Sequence, residues 1–214
     1  MSTLAIELAG ESVLLHPARA LVWPRRRTAF VADVHLGKDD LLRRHGMAIP
    51  SGDRDCDLDR LSMLIGQHGI ERLIVLGDLV HARLPDQAPW LDRLAEFHRI
   101  HAGLALQLVG GNHDRGADPQ RLGVTALGPR WHEAPFVGLH EAAPDPQGFT
   151  LGGHIHPVLR MGTRHRPLRV PVFWQRPFGL TLPAFGGLTG GYAIRPGQGD
   201  RVYAVGDRVL ALGS

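Results

Sequence analysis

The chain of 214 residues has one cysteine, Cys56, and one lysine, Lys38. A lone thiol excludes an internal disulfide and any cysteine cage for zinc, so a bound metal would take oxygen and nitrogen ligands. Residues 1–17 alternate in polarity and carry Glu7 and Glu11, which suits neither a secretory signal nor a spanning helix. A cytoplasmic protein is the expectation. The chain also lacks a Gly-x-Ser-x-Gly elbow, a Walker loop and a dinucleotide fingerprint, which removes three common catalytic frameworks. With no linker, repeat or low-complexity segment, a single domain over residues 1–214 is expected, long enough to bury a core without staples.

Scarce lysine leaves the positive charge to arginine, with a formal net charge of +3 and a pI near 9.7. The guanidinium fork suits phosphate, so an anionic partner is permitted but not demanded. Hydrophobic residues at 43% and charged residues at 21% are ordinary for a globular protein.

What the chain does have is a repeated arrangement in which an apolar run leads at once into Asp, Asn or His. Leu104 to Val109 leads into Gly110-Gly111-Asn112-His113-Asp114, and Phe30-Val31-Ala32 into Asp33-Val34-His35. Leu73 to Leu76 leads into Gly77-Asp78-Leu79-Val80-His81. Phe136 to Leu139 leads into His140, and Phe149-Thr150-Leu151 into Gly152-Gly153-His154-Ile155-His156. One polar triplet would read as an Asx-type turn. The recurrence instead points to strand ends converging on a site, where open α/β sheets keep theirs.

In chain order, residues 4–8 and 12–15 suggest a hairpin turning at Gly10-Glu11, followed by a strand at 20–23 and a basic turn, Pro24 to Arg27. Residues 39–46 read as a short helix, and another begins at Asp53 with Leu58, Leu61 and Ile65 on its buried side. Residues 71–76 read as a strand and 89–101 as an amphipathic helix burying Trp90, Leu94 and Phe97, with His98 and His101 placed to complement the helix dipole. Strand, helix, strand, helix, strand over 28–110 implies a parallel βαβαβ unit. From Val124 the pattern changes to short strands between Gly and Pro, which predicts a second, mixed or antiparallel sheet. Gly186 to Gly191 could cradle a phosphate, although a flexible hairpin fits the absence of a following helix.

A carboxylate and an imidazole two residues apart on an extended strand would point the same way, so Asp33 and His35 could share one cation, and His154 and His156 repeat the spacing. Asp78 has two oxygens with which to bridge two cations, and Asn112 and His140 would complete the second. Asp33, His35, Asp78, Asn112, His140, His154 and His156 thus suffice for two metals, the arrangement that clamps both oxygens of a phosphoryl displacement. His113, beside a ligand with its own ring spare, is the natural group to protonate the leaving oxygen.

The ordered set Asp-x-His, Gly-Asp-x-x-His, Gly-Asn-His-Asp, a lone His and Gly-His-x-His resembles the calcineurin-like metallophosphoesterases. That resemblance implies a four-layer α/β/β/α sandwich of two mixed sheets flanked by helices. It also implies a dinuclear centre in which Asp33, His35 and His156 bind one metal, Asn112, His140 and His154 the other, and Asp78 both. His113 would be the catalytic histidine, oriented by Asp114 or a neighbouring carboxylate.

A narrower resemblance rests on Ala32 to Lys38, Arg43-Arg44 with Gly46 and Ile49-Pro50, His81-Ala82-Arg83, and Leu182 to Gly191. These are similar to the bacterial ligase-associated DNA damage response endonucleases, the PdeM family. The resemblance implies manganese as cofactor, cleavage of phosphodiester bonds in single- or double-stranded DNA, and work beside a DNA ligase and a helicase. No membrane is implied, and a homodimer is left open. Lys38, Arg43, Arg44, His81 and Arg83 are the expected substrate contacts. Two other readings compete: hydrolysis of a small nucleotide-type phosphodiester, and an inactive scaffold that keeps the fold.

Overall fold

A computed structural model describes residues 2–48, 56–82, 84–163 and 166–213. The chain opens with β1 (Leu4–Leu8), β2 (Glu11–His16), β3 (Ala20–Trp23) and β4 (Thr28–Val31), each antiparallel to the one before. The first hairpin turns at Ala9-Gly10 rather than at Gly10-Glu11. Both turn residues have positive φ, 48° and 80°, the geometry that matches the twist of paired strands. Glu11 is thereby freed to begin β2, where it accepts a hydrogen bond from Trp23 Nε1 at 2.8 Å.

Crossovers then follow. Helices α1 (Lys38–Arg44) and α2 (Cys56–His68) lead to β5 (Arg72–Leu76), α3 (Pro89–Ile100) leads to β6 (Ala105–Val109), and α4 (Pro119–Leu122) to β7 (Thr125–Ala126). β4, β5, β6 and β7 pair in parallel, so the βαβαβ reading holds and the first sheet has seven strands in order β1 to β7. The start expected for α2 at Asp53 lies outside the described residues.

The period of two decides which way each strand faces. In β5, Leu73 and Val75 pack with Leu61, Leu64, Leu94 and Phe97 of the helices, whereas Ile74 and Leu76 point to the other side. All four are fully buried, at about 1.5–3 kcal/mol each. What they meet there is the second sheet.

That sheet comprises β8 (Arg130–Glu133), β9 (Phe136–Leu139), β10 (Phe149–Gly152), β11 (Pro157–Thr163), β12 (Arg166–Arg176), β13 (Gly179–Thr181), β14 (Tyr192–Ala193), β15 (Arg201–Val205) and β16 (Val209–Leu212). Its order is β14-β11-β12-β13-β10-β9-β8, with β15 pairing β12 and β16. β9, β10 and β13 run parallel while β11, β12 and β15 alternate, so this sheet is mixed. Trp23 meets Phe136 edge-on at 4.9 Å and Phe30 meets Trp131 at 5.3 Å, which seals the sandwich.

The two mixed sheets packed face to face are as expected. Among the described residues the helices cover the first sheet. The outer face of the second carries a small cluster of Val172, Ile194, Val202 and Ala204 to which no helix contributes. No described helix is long and apolar enough to cross a membrane. Every parallel strand from β4 to β6, and β9 and β10 opposite, releases its chain toward one rim.

Candidate metal centre

At that rim the backbone leaves the extended conformation. Asp33, His35, Asp78, His154 and His156 have φ between 50° and 72°, the left-handed region that residues with a side chain seldom adopt. This corrects the reasoning from strand period. Asp33 and His35 each sit at a left-handed backbone position, and His154 and His156 lie in the loop between β10 and β11. The strained loops are held by each other: Asp33 N–H donates to Gly77 O (3.1 Å), His35 N–H to Asp78 O (2.9 Å) and Leu36 N–H to Leu79 O (2.8 Å).

Among the described residues three sets of donor atoms result, each lying within 4.8 Å of one another: Asp33, His35 and His156; Asp78, His140 and His154; and His35, His81 and His113. The first two are the sets expected for two cations, and Asn112 Oδ1 adds to the second at 2.9 Å from His140 Nε2. Asp78 Oδ2 stands 3.9 Å from His35 Nε2 and 3.5 Å from His140 Nε2, so one oxygen faces both groups.

The donor chemistry fits a cation. Asp33 Oδ1 is buried without a hydrogen-bond partner, while Oδ2 accepts from His154 N–H at 2.9 Å. His35 Nε2 and His156 Nε2 point at one another across 3.4 Å. The outer nitrogens are committed, since His140 Nδ1 donates to Leu76 O (3.0 Å) and His156 Nδ1 to Gly190 O (3.2 Å). Each carbonyl fixes the tautomer and turns the Nε2 lone pair inward, as at metal-ligating histidines. A cation would satisfy Asp33 Oδ1, which no protein donor reaches among the described residues.

Burial and neighbouring charge move four of these groups from their ordinary values. Burial, only partly offset by Asp78, lowers His35 to about 3 and keeps it neutral. Burial and then Lys38 lower His81 to about 4. For His140 burial is outweighed by Asp78 and the Leu76 carbonyl, which raise it to about 9, so a cation would have to displace the Nε2 proton to be bound there. Burial works against the Asp78 carboxylate too, but His140 and the His113 N–H hold it down to about 2.

Asp114 does not orient His113. Its Oδ2 accepts from Asp78 N–H (2.8 Å) and Gly111 N–H (2.9 Å), and its Oδ1 from Val80 N–H (3.2 Å), so it ties two loops together from below. The catalytic role expected for Asp114 is thereby replaced by a positioning one. His113 is steered by His81 instead: its Nδ1 donates to the His81 carbonyl at 2.7 Å. That partnership has no sequence signature beyond the Gly-Asp-x-x-His spacing.

The expected substrate contacts divide. Lys38 lines a cavity with His35, Asp57, Trp90 and Thr189, beside the centre. Arg43 turns back on its own helix, 2.7 Å from Asp39 and 3.7 Å from Asp40. Arg44 lines a separate depression with Asp40, Pro85 and Trp90, which contains none of the donor residues. Arg83 lies outside the described residues. His98 and His101 are structural, through hydrogen bonds at 2.9 Å with Leu122 O and Ser62 Oγ, and burial lowers the His101 pKa.

The Gly186–Gly191 loop is tied to the rim at its start rather than left as an unattached hairpin. Gly186 N–H donates to Asp33 O at 3.1 Å, and Gly187 N–H to Asp57 Oδ2 at 3.1 Å. A Cβ at Gly186 would stand 2.4 Å from Val34 O, so only glycine lets the loop press this closely.

Pseudomonas putida nuclease MPE superposes on this chain with a TM-score of 0.85 at 36% identity, covering 99% of this chain and all of that one. Yfce, a phosphoesterase from E. coli, gives a TM-score of 0.43 at 15% identity, over 84% of this chain and 88% of that one, too remote to carry weight. No family model matches, and no curated protein does. The chain belongs to the metallophosphoesterase-type nucleases, the family of the Pseudomonas putida protein. Hydrolysis of phosphoesters, with divalent metal, is the chemistry of that class.

Proposed function

We propose that the chain hydrolyses phosphodiester bonds of DNA, using two divalent cations, manganese foremost. Asp33, His35 and His156 would hold one cation, Asn112, His140 and His154 the other, with Asp78 between them. The observation that carries this reading is the position of Asp78 Oδ2, facing His35 and His140 at once while Oδ1 is occupied by the His113 N–H at 2.9 Å. When bound, such a pair of cations brings a water's pKa to about 7 and neutralises charge on the phosphoryl group.

The chain's own groups do the rest. His113, its Nδ1 tied to the His81 carbonyl, has Nε2 left to deliver a proton to the leaving oxygen when the imidazole is charged. His81 stacks on it and limits its rotation. Asp114 keeps the Asp78 loop and the Gly111 turn at a fixed separation. DNA as substrate is supported by the full-length likeness to a nuclease, together with the sequence resemblance to the ligase-associated endonucleases. A repair setting beside a ligase and a helicase belongs to the same proposal.

The test is hydrolysis of bis(4-nitrophenyl) phosphate and of labelled DNA oligonucleotides, with manganese supplied, by the wild type and by His113→Ala and Asp78→Ala. Intact activity in either variant would sink the mechanism. Hydrolysis of the small diester with DNA left uncut would transfer the function to a small nucleotide-type phosphodiester.

A further inference from the structure

Between Asp145 and Asp200 the sequence has no acidic residue, yet it carries Arg160, Arg164, Arg166, Arg169, Arg176 and Arg195. Part of this stretch is the β11–β12 hairpin, which leaves the candidate centre directly: Pro157, the first residue of β11, follows His156. In that hairpin Arg160 lies opposite Arg169, a like-charge cross-strand pair that destabilises a ladder unless something anionic lies over it. Among the described residues no carboxylate bridges Arg160, Arg169 or Arg195, although most other arginine-rich parts of the molecule are paired, as in Arg25–Glu11, Arg72–Glu133 and Arg130–Asp145. All three are exposed.

Register gives the patch a direction. Arg160 and Arg169 share a face with Val158 and Pro171, two residues along each strand. Val158 and Pro171 line a groove that also takes in His156, Arg19, Thr189 and Gly190. Arg169 and Gly191 continue from that groove into a second, wider one of about 540 Å³ bordered by Arg160, Tyr192 and Arg195. Arg19, on the first groove, spends its guanidinium on the Ala184 and Gly186 carbonyls, at 3.1 and 3.4 Å. The row of two grooves is lined by Arg19, Arg169, Arg160 and Arg195 and by no described carboxylate, and Tyr192, 66% exposed on the edge strand β14, borders the second.

Resting on the nuclease reading above, we infer that this row is the track along which the substrate strand lies beyond the scissile bond, with successive backbone phosphates on Arg169, Arg160 and Arg195. Guanidinium forks match phosphate oxygens, and unpaired arginine beside an exposed aromatic ring is the chemistry that follows a nucleic-acid strand without reading its sequence. The contacts expected from sequence on α1 lie elsewhere, and Arg43 there is already engaged by Asp39.

The experiment compares wild type with Arg160→Gln/Arg169→Gln/Arg195→Gln on two substrates. A labelled oligothymidylate reaches the track, and bis(4-nitrophenyl) phosphate is too small to leave the centre. Strand affinity, by fluorescence anisotropy in a His113→Ala background, is expected to fall about tenfold or more. The slope of log affinity against log salt should fall by about 2, some 0.7 for each lost contact. Turnover of the small diester should hold. A second variant, Arg160→Glu, sets a carboxylate opposite Arg169, and should keep or raise the melting temperature while weakening the strand.

Unchanged affinity and salt slope in the triple variant, or no strand affinity in the wild type, overturns the track. So does a loss of binding that appears only together with a loss of folded stability. A strand bound on these arginines but never incised, with the small diester still cut, would leave the track standing and remove the nuclease reading.

Discussion

His81 and His113 lie ring on ring, their centroids 5.0 Å apart and their planes 18° from parallel, while the backbone carbonyl of the first accepts from Nδ1 of the second. One residue therefore fixes both the tilt and the tautomer of the proposed acid. Removing the His113 ring should lower kcat on a small diester about 10²–10⁴-fold. His81→Ala keeps the carbonyl and loses the stack, and should lower kcat about 10- to 100-fold through misplacement, with little change in KM. Equal rates for His81→Ala and the wild type would show that the stack positions nothing.

Gly77 has φ of 83°, and a Cβ there would lie 2.1 Å from His140 Nδ1. Gly77→Ala should displace His140, so the purified variant should hold fewer equivalents of manganese than the wild type under the same dialysis. Metal analysis decides it, and full occupancy would contradict the geometry.

Asp114 accepts three backbone N–H groups while 9% exposed. Asp114→Asn presents a donor to at least one donor, which should cost about 1–3 kcal/mol in urea unfolding and reduce activity as the Asp78 loop loosens. A variant with unaltered stability would show that the loops hold without it.

His16 is 3% exposed, accepts from Ala18 N–H through Nδ1 at 2.9 Å and meets the His68 ring at 5.2 Å. Burial lowers its pKa from the ordinary 6.5. The unfolded chain then binds this proton at a higher pH than the folded one, so stability is full above about 6.5 and declines as the pH falls from there toward the folded value. Urea unfolding in chelator between pH 7.5 and 5 should show that decline, and His16→Asn, which keeps an acceptor for Ala18 but does not titrate, should flatten it.

Arg43 pairs with Asp39 and Asp40 on its own helix. Arg43→Ala should therefore change DNA cleavage less than the track substitutions do, with helix stability falling by about 0.3–0.5 kcal/mol. A large loss of cleavage confined to Arg43→Ala would restore α1 as the substrate face.

Much of this could be read from the amino acids because strand ends and metal donors coincide. An apolar run announces β4, β5, β6, β9 and β10, and the polar residue after each run is the one that reaches the rim. The seven expected ligands do converge, in the two sets anticipated. What sequence could not convey is conformation off the strand. The same Asp33-Val34-His35 spelling would serve an extended segment, and the left-handed positions are held by the bonds from Asp33, His35 and Leu36 N–H to the Gly77, Asp78 and Leu79 carbonyls. Asp114 misled for a related reason: adjacency to His113 suggested partnership, but consecutive side chains on a turn diverge, and the carboxylate found backbone donors instead. The arginine row was missed since its members lie on β11, β12 and past β14, and become neighbours only through register.

Each proposed cation position draws on both halves of the sandwich, His156 joining Asp33 and His35, and His140 and His154 joining Asp78. The ions would thus reinforce a junction that hydrogen bonds already cross, from His154 N–H to Asp33 Oδ2 and from His140 Nδ1 to Leu76 O. Slippage of one sheet across the other would then disturb both positions together. Chelation, by the same logic, should be felt far from the rim, as easier parting of Trp23 from Phe136 in the seam behind it.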